Sequence, residues 1–272
     1  MTAPRCGVLG SPITHSLSPV LHRAGYAAVG LDWSYDAHEV GEAGLPAFVA
    51  DLGEEWRGLS LTMPLKRAAL PLAVDVSPVA RLVGAANTLV RRDDGAWAAD
   101  NTDVPGLVAA LRERGVEEIT QATVLGGGAT AASAIVALAG AGCRRFLVAV
   151  RNPDRVGETL EAALRFPEPL DIATCALGEP AVGDLVVSTI PADAQTDDVL
   201  DGCAWVPVLF DVIYDPWPTP LAESFQGRVV VGGLDLLVHQ AALQFTAFTG
   251  VHAPLEDMRA AGEAELRARA ER

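Results

Sequence analysis

The chain has 272 residues, half of them hydrophobic and 20% charged, with a formal net charge of −15. That length allows one large or two medium domains with a real core, and the composition excludes a disordered chain. The acidic balance argues against nucleic acid or an anionic membrane as partner, though not against small anions, which answer to local charge.

Four scattered cysteines, Cys6, Cys143, Cys175 and Cys203, lack metal-ligand spacing, so no metal site is expected. They read as reduced thiols of a cytoplasmic protein. The opening MTAPRCGVLG carries no apolar signal region of useful length.

In chain order, residues 6–10 form an apolar strand, and Ser18-Pro19 caps and starts a helix to about Val29. A strand is expected over 33–40, a helix over 45–51 and a strand over 58–62. Pro64 opens a helix with proline in its first turn. Ser77-Pro78 starts a short one. Residues 87–92 and 96–99 flank Asp93-Asp94-Gly95 as a hairpin. Thr102 or Asp103 caps a helix running to about Arg114.

Polar residues gather at the strand ends of this half, where open α/β sheets bind ligands. Ser18 has a structural explanation as a helix cap, and Ser16 has none. Lys66, just inside the helix after Thr62, opposes the helix dipole; alone, it reads as a snorkelling surface lysine. Asn87 stands at a strand start. His15 and His22 read as structural. With no glycine fingerprint, this half reads as a substrate domain.

Residues 123–155, TVLGGGATAASAIVALAGAGCRRFLVAVRNPDR, read as strand, glycine turn, helix and strand. Gly126, Gly128 and Ala131 fit G-x-G-x-x-G/A: a tight turn, backbone approach to a pyrophosphate, and close helix–strand packing. The helix N-terminus offers N–H groups and a positive dipole end to phosphates. The second strand, 146–150, ends in Arg151, with Arg155 one turn later. An acidic residue there would bond the ribose of NAD, whereas guanidinium groups fork onto a 2′-phosphate, so the cofactor is NADP(H). The uncharged run from Thr120 to Cys143 has membrane-spanning length, but its glycines and alanines make it poorly hydrophobic. No membrane association is expected.

Asn152-Pro153 then starts a helix to about Arg165, followed by a strand over 170–174. Residues 184–188 form a core strand whose end, Thr189-Ile190-Pro191, borders the nicotinamide. Residues 208–213 are another core strand, Thr219-Pro220 starts a helix, and 228–231 closes the sheet. Residues 234–249 show helical spacing, and 254–270 form an amphipathic helix that packs back on the first domain.

The stretches GVLGSPITHSLSP, SLTMPLK, GAANTL, NTDVPG, LGGGATAA, DVIYDPWPTPL and GGLDLLVHQAALQFTAFTG, in that order, resemble the shikimate dehydrogenase family. The resemblance implies reduction of 3-dehydroshikimate to shikimate with NADPH in aromatic amino-acid biosynthesis. It implies Lys66 and Asp103 as the catalytic pair, and Ser16, Ser18, Thr62, Asn87, Tyr214 and Gln240 as substrate contacts. On the cofactor side it aligns Gly126, Gly127, Gly128, Ala129, Arg151, Arg155, Thr189 and Gly233.

Three positions depart from the family pattern. Ser60-Leu61 stands where Asn-Val is common, Val150-Arg151-Asn152 where Asn-Arg-Thr is common, and Asp235 where a less polar residue is usual. The expectation is a two-domain α/β fold: residues 1–103 and 235–272 as an α/β substrate domain, 104–234 as an NADP-binding Rossmann domain. The partner is a small molecule, with a homodimer as the assembly to test. Quinate/shikimate or aminoshikimate dehydrogenases would share every block. A regulator of the same fold would be expected to lack Lys66 or Asp103.

Overall fold

A computed structural model describes residues 3–152 and 156–271. The chain divides into two compact units, Met1–Thr102 with Leu237–Arg272, and Asp103–Leu236.

The first unit opens with β1 (Arg5–Gly10), α1 (Ser18–Ala28), β2 (Ser34–Glu39), α2 (Leu45–Ala50) and β3 (Trp56–Leu61). It continues through β4 (Asp75–Val76), α3 (Pro78–Val83), β5 (Thr88–Arg91) and β6 (Trp97–Asp100). The sheet order is β2-β1-β3-β5-β6-β4. β1 lies parallel to β2 and β3, while the hairpin strand β5 runs antiparallel to β3 and β6. Leu9, Leu45, Leu59, Leu65 and Leu89 are completely buried in the core on this sheet.

Two local expectations fail here. Ser18 is the first residue of α1 rather than its cap. The cap position is Leu17, which supplies no side-chain hydrogen bond, while the Ser16 hydroxyl accepts the Ser18 N–H at 3.3 Å. No α-helix follows Pro64; residues 63–69 run as consecutive turns. The reason is competition for backbone groups. The Lys66 carbonyl accepts the Ala86 N–H at 2.7 Å, and Pro71 has no N–H to carry a helical ladder onward.

The second unit begins with α4 (Asp103–Glu113), β7 (Gln121–Leu125), α5 (Ala129–Gly140), β8 (Arg145–Val150) and α6 (Gly157–Leu164). After β9 (Asp171–Ala176) and β10 (Leu185–Ser188) come α7 (Asp197–Gly202), β11 (Val208–Asp211), α8 (Pro220–Ser224) and β12 (Val229–Val231). Its sheet is wholly parallel, ordered β12-β11-β10-β7-β8-β9. Numbered from β7, that is the 3-2-1-4-5-6 order of a doubly wound dinucleotide fold, with its switch point between β7 and β10. Strands buried on both faces read as unbroken apolar runs, as LVVS of β10 does. The expected helix start at Pro153 lies outside the described residues, as does Arg155.

The last helices are α9 (Gly233–Thr249) and α10 (Leu255–Ala270). Within the first unit, α10 packs along α1. Asp235, at the start of α9, explains its departure from the family pattern. Its carboxylate is buried in the second unit and accepts a fork from Arg114, in the turn just after α4, at 2.9, 3.1 and 3.2 Å. A charge-assisted fork of this kind offsets the cost of taking a carboxylate out of water.

His22 of α1 is fully buried and stacks on Tyr35, ring centroids 4.1 Å apart. Burial pushes its pKa down from 6.5 to about 3. Above pH 6.5 the ring is neutral folded and unfolded. Below it, the unfolded chain binds a proton that the folded chain refuses until about pH 3. Stability therefore falls with acidity across this window, by about 1.4 kcal/mol per pH unit. Urea unfolding at pH 8 and pH 5 should show wild type losing about 2 kcal/mol more than His22→Phe. Equal losses would place the acid sensitivity in another group.

Candidate active site

In the first unit, parallel pairing of β1 and β3 brings their carboxyl ends side by side. The Thr62 N–H donates to Leu9 O at 2.9 Å, and the Ser11 N–H donates to Met63 O at 3.0 Å. The loop carrying Ser16 and Ser18 thus lies alongside the turn carrying Thr62 and Lys66. Ser18 is buried. Ser16, Thr62 and Lys66 are half-buried. The bond from Ala86 to the Lys66 carbonyl ties this turn to the segment that ends in Asn87.

Asn87 is 2% exposed. Its Oδ1 accepts the Thr102 N–H at 2.8 Å and the Thr88 hydroxyl at 2.7 Å. Its Nδ2 donates to Thr102 Oγ1 at 2.9 Å and to Gln240 Oε1 at 3.3 Å. Gln240, on α9, is held in turn by its Nε2 donating to Leu237 O. Asn87, Thr102 and Gln240, far apart in sequence, therefore form one buried polar cluster in a unit with no glycine fingerprint. Asn87 and Gln240 are expected contacts, Thr102 carries a helix-cap signal, and no sequence signal marks Thr88 and Gln244, which support the cluster.

In the second unit, the glycine turn sits at the carboxyl end of β7, beside the switch point. Gly126 has φ +109°, a conformation that L side chains rarely adopt, and an added Cβ would collide with Thr189 Oγ1. Thr189 is fixed there because both its N–H and its hydroxyl donate to Leu125 O, at 2.9 and 2.8 Å. Gly127 leads to Gly128, which caps α5 with no side-chain hydrogen bond. Ala129 opens the helix, so its first turn is shaped to receive an anion through backbone N–H groups. Thr159 of α6 steadies the turn by donating to Gly127 O at 2.8 Å; nothing in the fingerprint pointed to it. Arg151 is exposed at the end of β8, the position from which a second strand reads the adenosine ribose. These residues fit a dinucleotide: an added side chain at Gly126 would fill the cradle.

The other edge of this unit is organised by Asp211, which ends β11 and is completely buried. It accepts from Gln195 Nε2 at 2.9 Å, the Thr219 hydroxyl at 2.7 Å and the Ile213 N–H at 3.2 Å. Burial raises its pKa above the usual carboxylate range, and these bonds pull against that rise. The clamp pins both ends of the loop carrying half-buried Tyr214. A carboxylate closing an otherwise apolar strand was the available sequence signal for it. Gly233 starts α9 against this loop: its N–H donates to Ile213 O at 3.2 Å, and a Cβ would strike the Val212 and Ile213 backbone.

Asp103, the buried first residue of α4, and Tyr214 belong to the second unit; Lys66 and the other expected substrate contacts belong to the first. Among the described residues no group of His, Cys, Asp and Glu could hold a metal ion. No described helix is long and apolar enough to cross a membrane.

Comparison with known proteins follows the same division. Residues 8–89 match the shikimate dehydrogenase substrate binding domain, and residues 233–261 the shikimate 5′-dehydrogenase C-terminal domain. The shikimate dehydrogenase (NADP(+)) of Moorella thermoacetica is 35% identical over 92% of this chain and 90% of its own length. The crystal structure of Mycobacterium tuberculosis shikimate dehydrogenase superposes with TM-score 0.86 and 44% identity, over 96% of this chain and 99% of that one. Thermus thermophilus shikimate 5-dehydrogenase, in complex with NADP(H) and shikimate, gives TM-score 0.80 and 30% identity over 96% and 99%. With a doubly wound nucleotide unit, a separate polar unit and near end-to-end similarity, the chain belongs to the shikimate dehydrogenase family.

Proposed function

We propose that the chain catalyses the reversible NADPH-dependent reduction of 3-dehydroshikimate to shikimate, as an oxidoreductase of aromatic amino-acid biosynthesis. The observation that carries this reading is the buried Asn87–Thr102–Gln240 cluster. It offers convergent amide and hydroxyl groups to a polyhydroxylated ligand, in the unit without the nucleotide turn. NADP(H), when bound, supplies or accepts the hydride. Gly127, Gly128 and Ala129 receive its pyrophosphate on backbone N–H groups, Gly126 supplies the tight turn while its own N–H is held by Ala149 O, and Arg151 takes the 2′-phosphate. Thr189 and Gly233 line the nicotinamide end.

Ser16 and Ser18 bind the carboxylate of the acid, while Thr62, Asn87, Tyr214 and Gln240 hold its ring hydroxyls. Lys66 carries the proton exchanged with the carbonyl oxygen, and Asp103 orients that ammonium group. Acid–base help of this kind contributes about 10²–10⁴-fold to rate. The domain assignment follows: residues 1–103 with 235–272 take the hydroxy acid and 104–234 the cofactor. A cytoplasmic homodimer completes the proposal, open to test by cell fractionation and sedimented mass.

Lys66→Ala should lower kcat at least about a hundredfold while leaving shikimate affinity little changed, because proton transfer acts in the transition state. A near-normal kcat would remove Lys66 from the chemistry.

Arg151→Ala should weaken NADP(H) much more than NAD(H), by about 1.5–3 kcal/mol for one charge-assisted contact. Equal losses for the two cofactors would show that Arg151 only packs against them.

Quinate carries an added hydroxyl on the carbon that bears the carboxylate, where shikimate is planar. Two small serine hydroxyls suit the planar acid, and an unpaired, desolvated hydroxyl costs about 1–3 kcal/mol. Initial rates should give kcat/KM for shikimate at least about tenfold above that for quinate. Comparable values would favour a quinate/shikimate dehydrogenase instead.

A further inference from the structure

Beneath Asn87 lies a second layer of buried polar groups that none of the expected contacts includes. The Tyr35 hydroxyl donates to Ser60 Oγ at 2.6 Å, and Ser60 donates to Gln244 Oε1 at 2.7 Å. Gln244 Nε2 donates to Asn87 O at 3.0 Å and to Thr88 Oγ1 at 2.9 Å. Thr88 then donates to Asn87 Oδ1 at 2.7 Å. Tyr35, Ser60, Thr88 and Gln244 are at most 4% exposed, so no water competes for these bonds.

Backbone groups leave the series only one direction. A carbonyl can only accept, so Gln244 must turn its NH₂ toward Asn87 O and its oxygen toward Ser60. Ser60 must then give its proton to Gln244, and Tyr35 must give its own to Ser60. At the other end, the Thr102 N–H can only donate, which turns Asn87 Oδ1 toward it. Thr88, already accepting from Gln244, has its proton left for that same oxygen. Asn87 is thereby locked with Oδ1 inward and Nδ2 outward, toward Thr102 and Gln240.

We propose that Tyr35, Ser60, Gln244 and Thr88 are positioning residues: a one-way hydrogen-bond relay that holds the Asn87 amide in the donor orientation. A ligand oxygen that accepts, such as a ring hydroxyl, can then take over the 3.3 Å Nδ2 contact from Gln240 Oε1 without the Asn87 amide having to turn. Ser60, in place of the commoner Asn, is the small hydroxyl that can both accept from Tyr35 and donate to Gln244. This inference rests on the reading of Asn87 as a contact to the hydroxy acid.

The test compares Thr88→Val, which keeps shape and loses the hydroxyl, with Thr88→Ser, which keeps the hydroxyl. Thr88→Val should raise the KM for shikimate about tenfold, with kcat within about threefold and the KM for NADP unchanged. Thr88→Ser should stay close to wild type. Volume-matched Gln244→Met should reproduce the Thr88→Val effect, and the double variant should add little, because both cut one relay. A wild-type KM in Thr88→Val would overturn the proposal, as would equal damage from Thr88→Ser or parallel rises in both KM values. A second readout needs no turnover: ¹⁵N-asparagine labelling should show one slowly exchanging side-chain amide for Asn87, assigned by its loss in Asn87→Asp. Thr88→Val, or Tyr35→Phe should that variant fail to fold, should speed the exchange. An unchanged exchange rate would overturn the relay. Wild-type protein that fails to turn over shikimate with NADP, while this exchange signature persists, would instead overturn the functional reading.

Discussion

A polar group taken out of water must find its partner inside the protein, and this constraint shapes both units. Asn87, Gln244 and Thr102 are buried and meet it through one another and through backbone groups. Asp211 meets it with Gln195, Thr219 and the Ile213 N–H. Asp235 meets it with Arg114. The Asn87 and Asp235 solutions tie together segments that the chain itself keeps far apart, and the Asp211 clamp closes one loop on itself. The partners that satisfy burial also hold side chains in one orientation, the condition a specific polar site requires.

The departures from the family pattern acquire physical reasons in this light. Ser60 is not a gap left by a missing amide. Its hydroxyl is fully engaged between Tyr35 and Gln244. Asp235 is unusual for its position only until Arg114 is placed opposite it, where the fork neutralises it. At Val150-Arg151-Asn152 the guanidinium remains on the exposed strand end, so the charge expected to meet a 2′-phosphate is kept although its neighbours differ.

Net charge is a poor guide to these sites. The chain carries −15, yet both reactants of the proposed reaction are anions. The structural answer is local. The first turn of α5 presents backbone N–H groups without a capping side chain, and Arg151 lies one strand away. A diffuse negative surface disfavours large polyanions, whereas a few fixed donors decide the binding of a small one.

Much of this protein could be read from the amino-acid order. Apolar runs such as LVVS marked the parallel core strands, and the spacing of Gly126, Gly128 and Ala131 marked the nucleotide turn, because backbone sterics and packing act there over a few residues. Asn87 and Gln240 were found through the family resemblance. The helix expected after Pro64 was not formed, since the Lys66 carbonyl is claimed by Ala86, a partner that only folding supplies. Leu17 rather than Ser18 holds the cap position of α1, the exact start of the helix being set by its surroundings. The relay through Tyr35, Ser60, Gln244 and Thr88 and the bond from Thr159 to the glycine turn left no local signal, and of the clamp around Asp211 only the carboxylate closing an apolar strand was legible. Their hydrogen bonds join residues as far apart as Ser60 and Gln244, and a single side chain carries no trace of the partner that tertiary packing will bring to it.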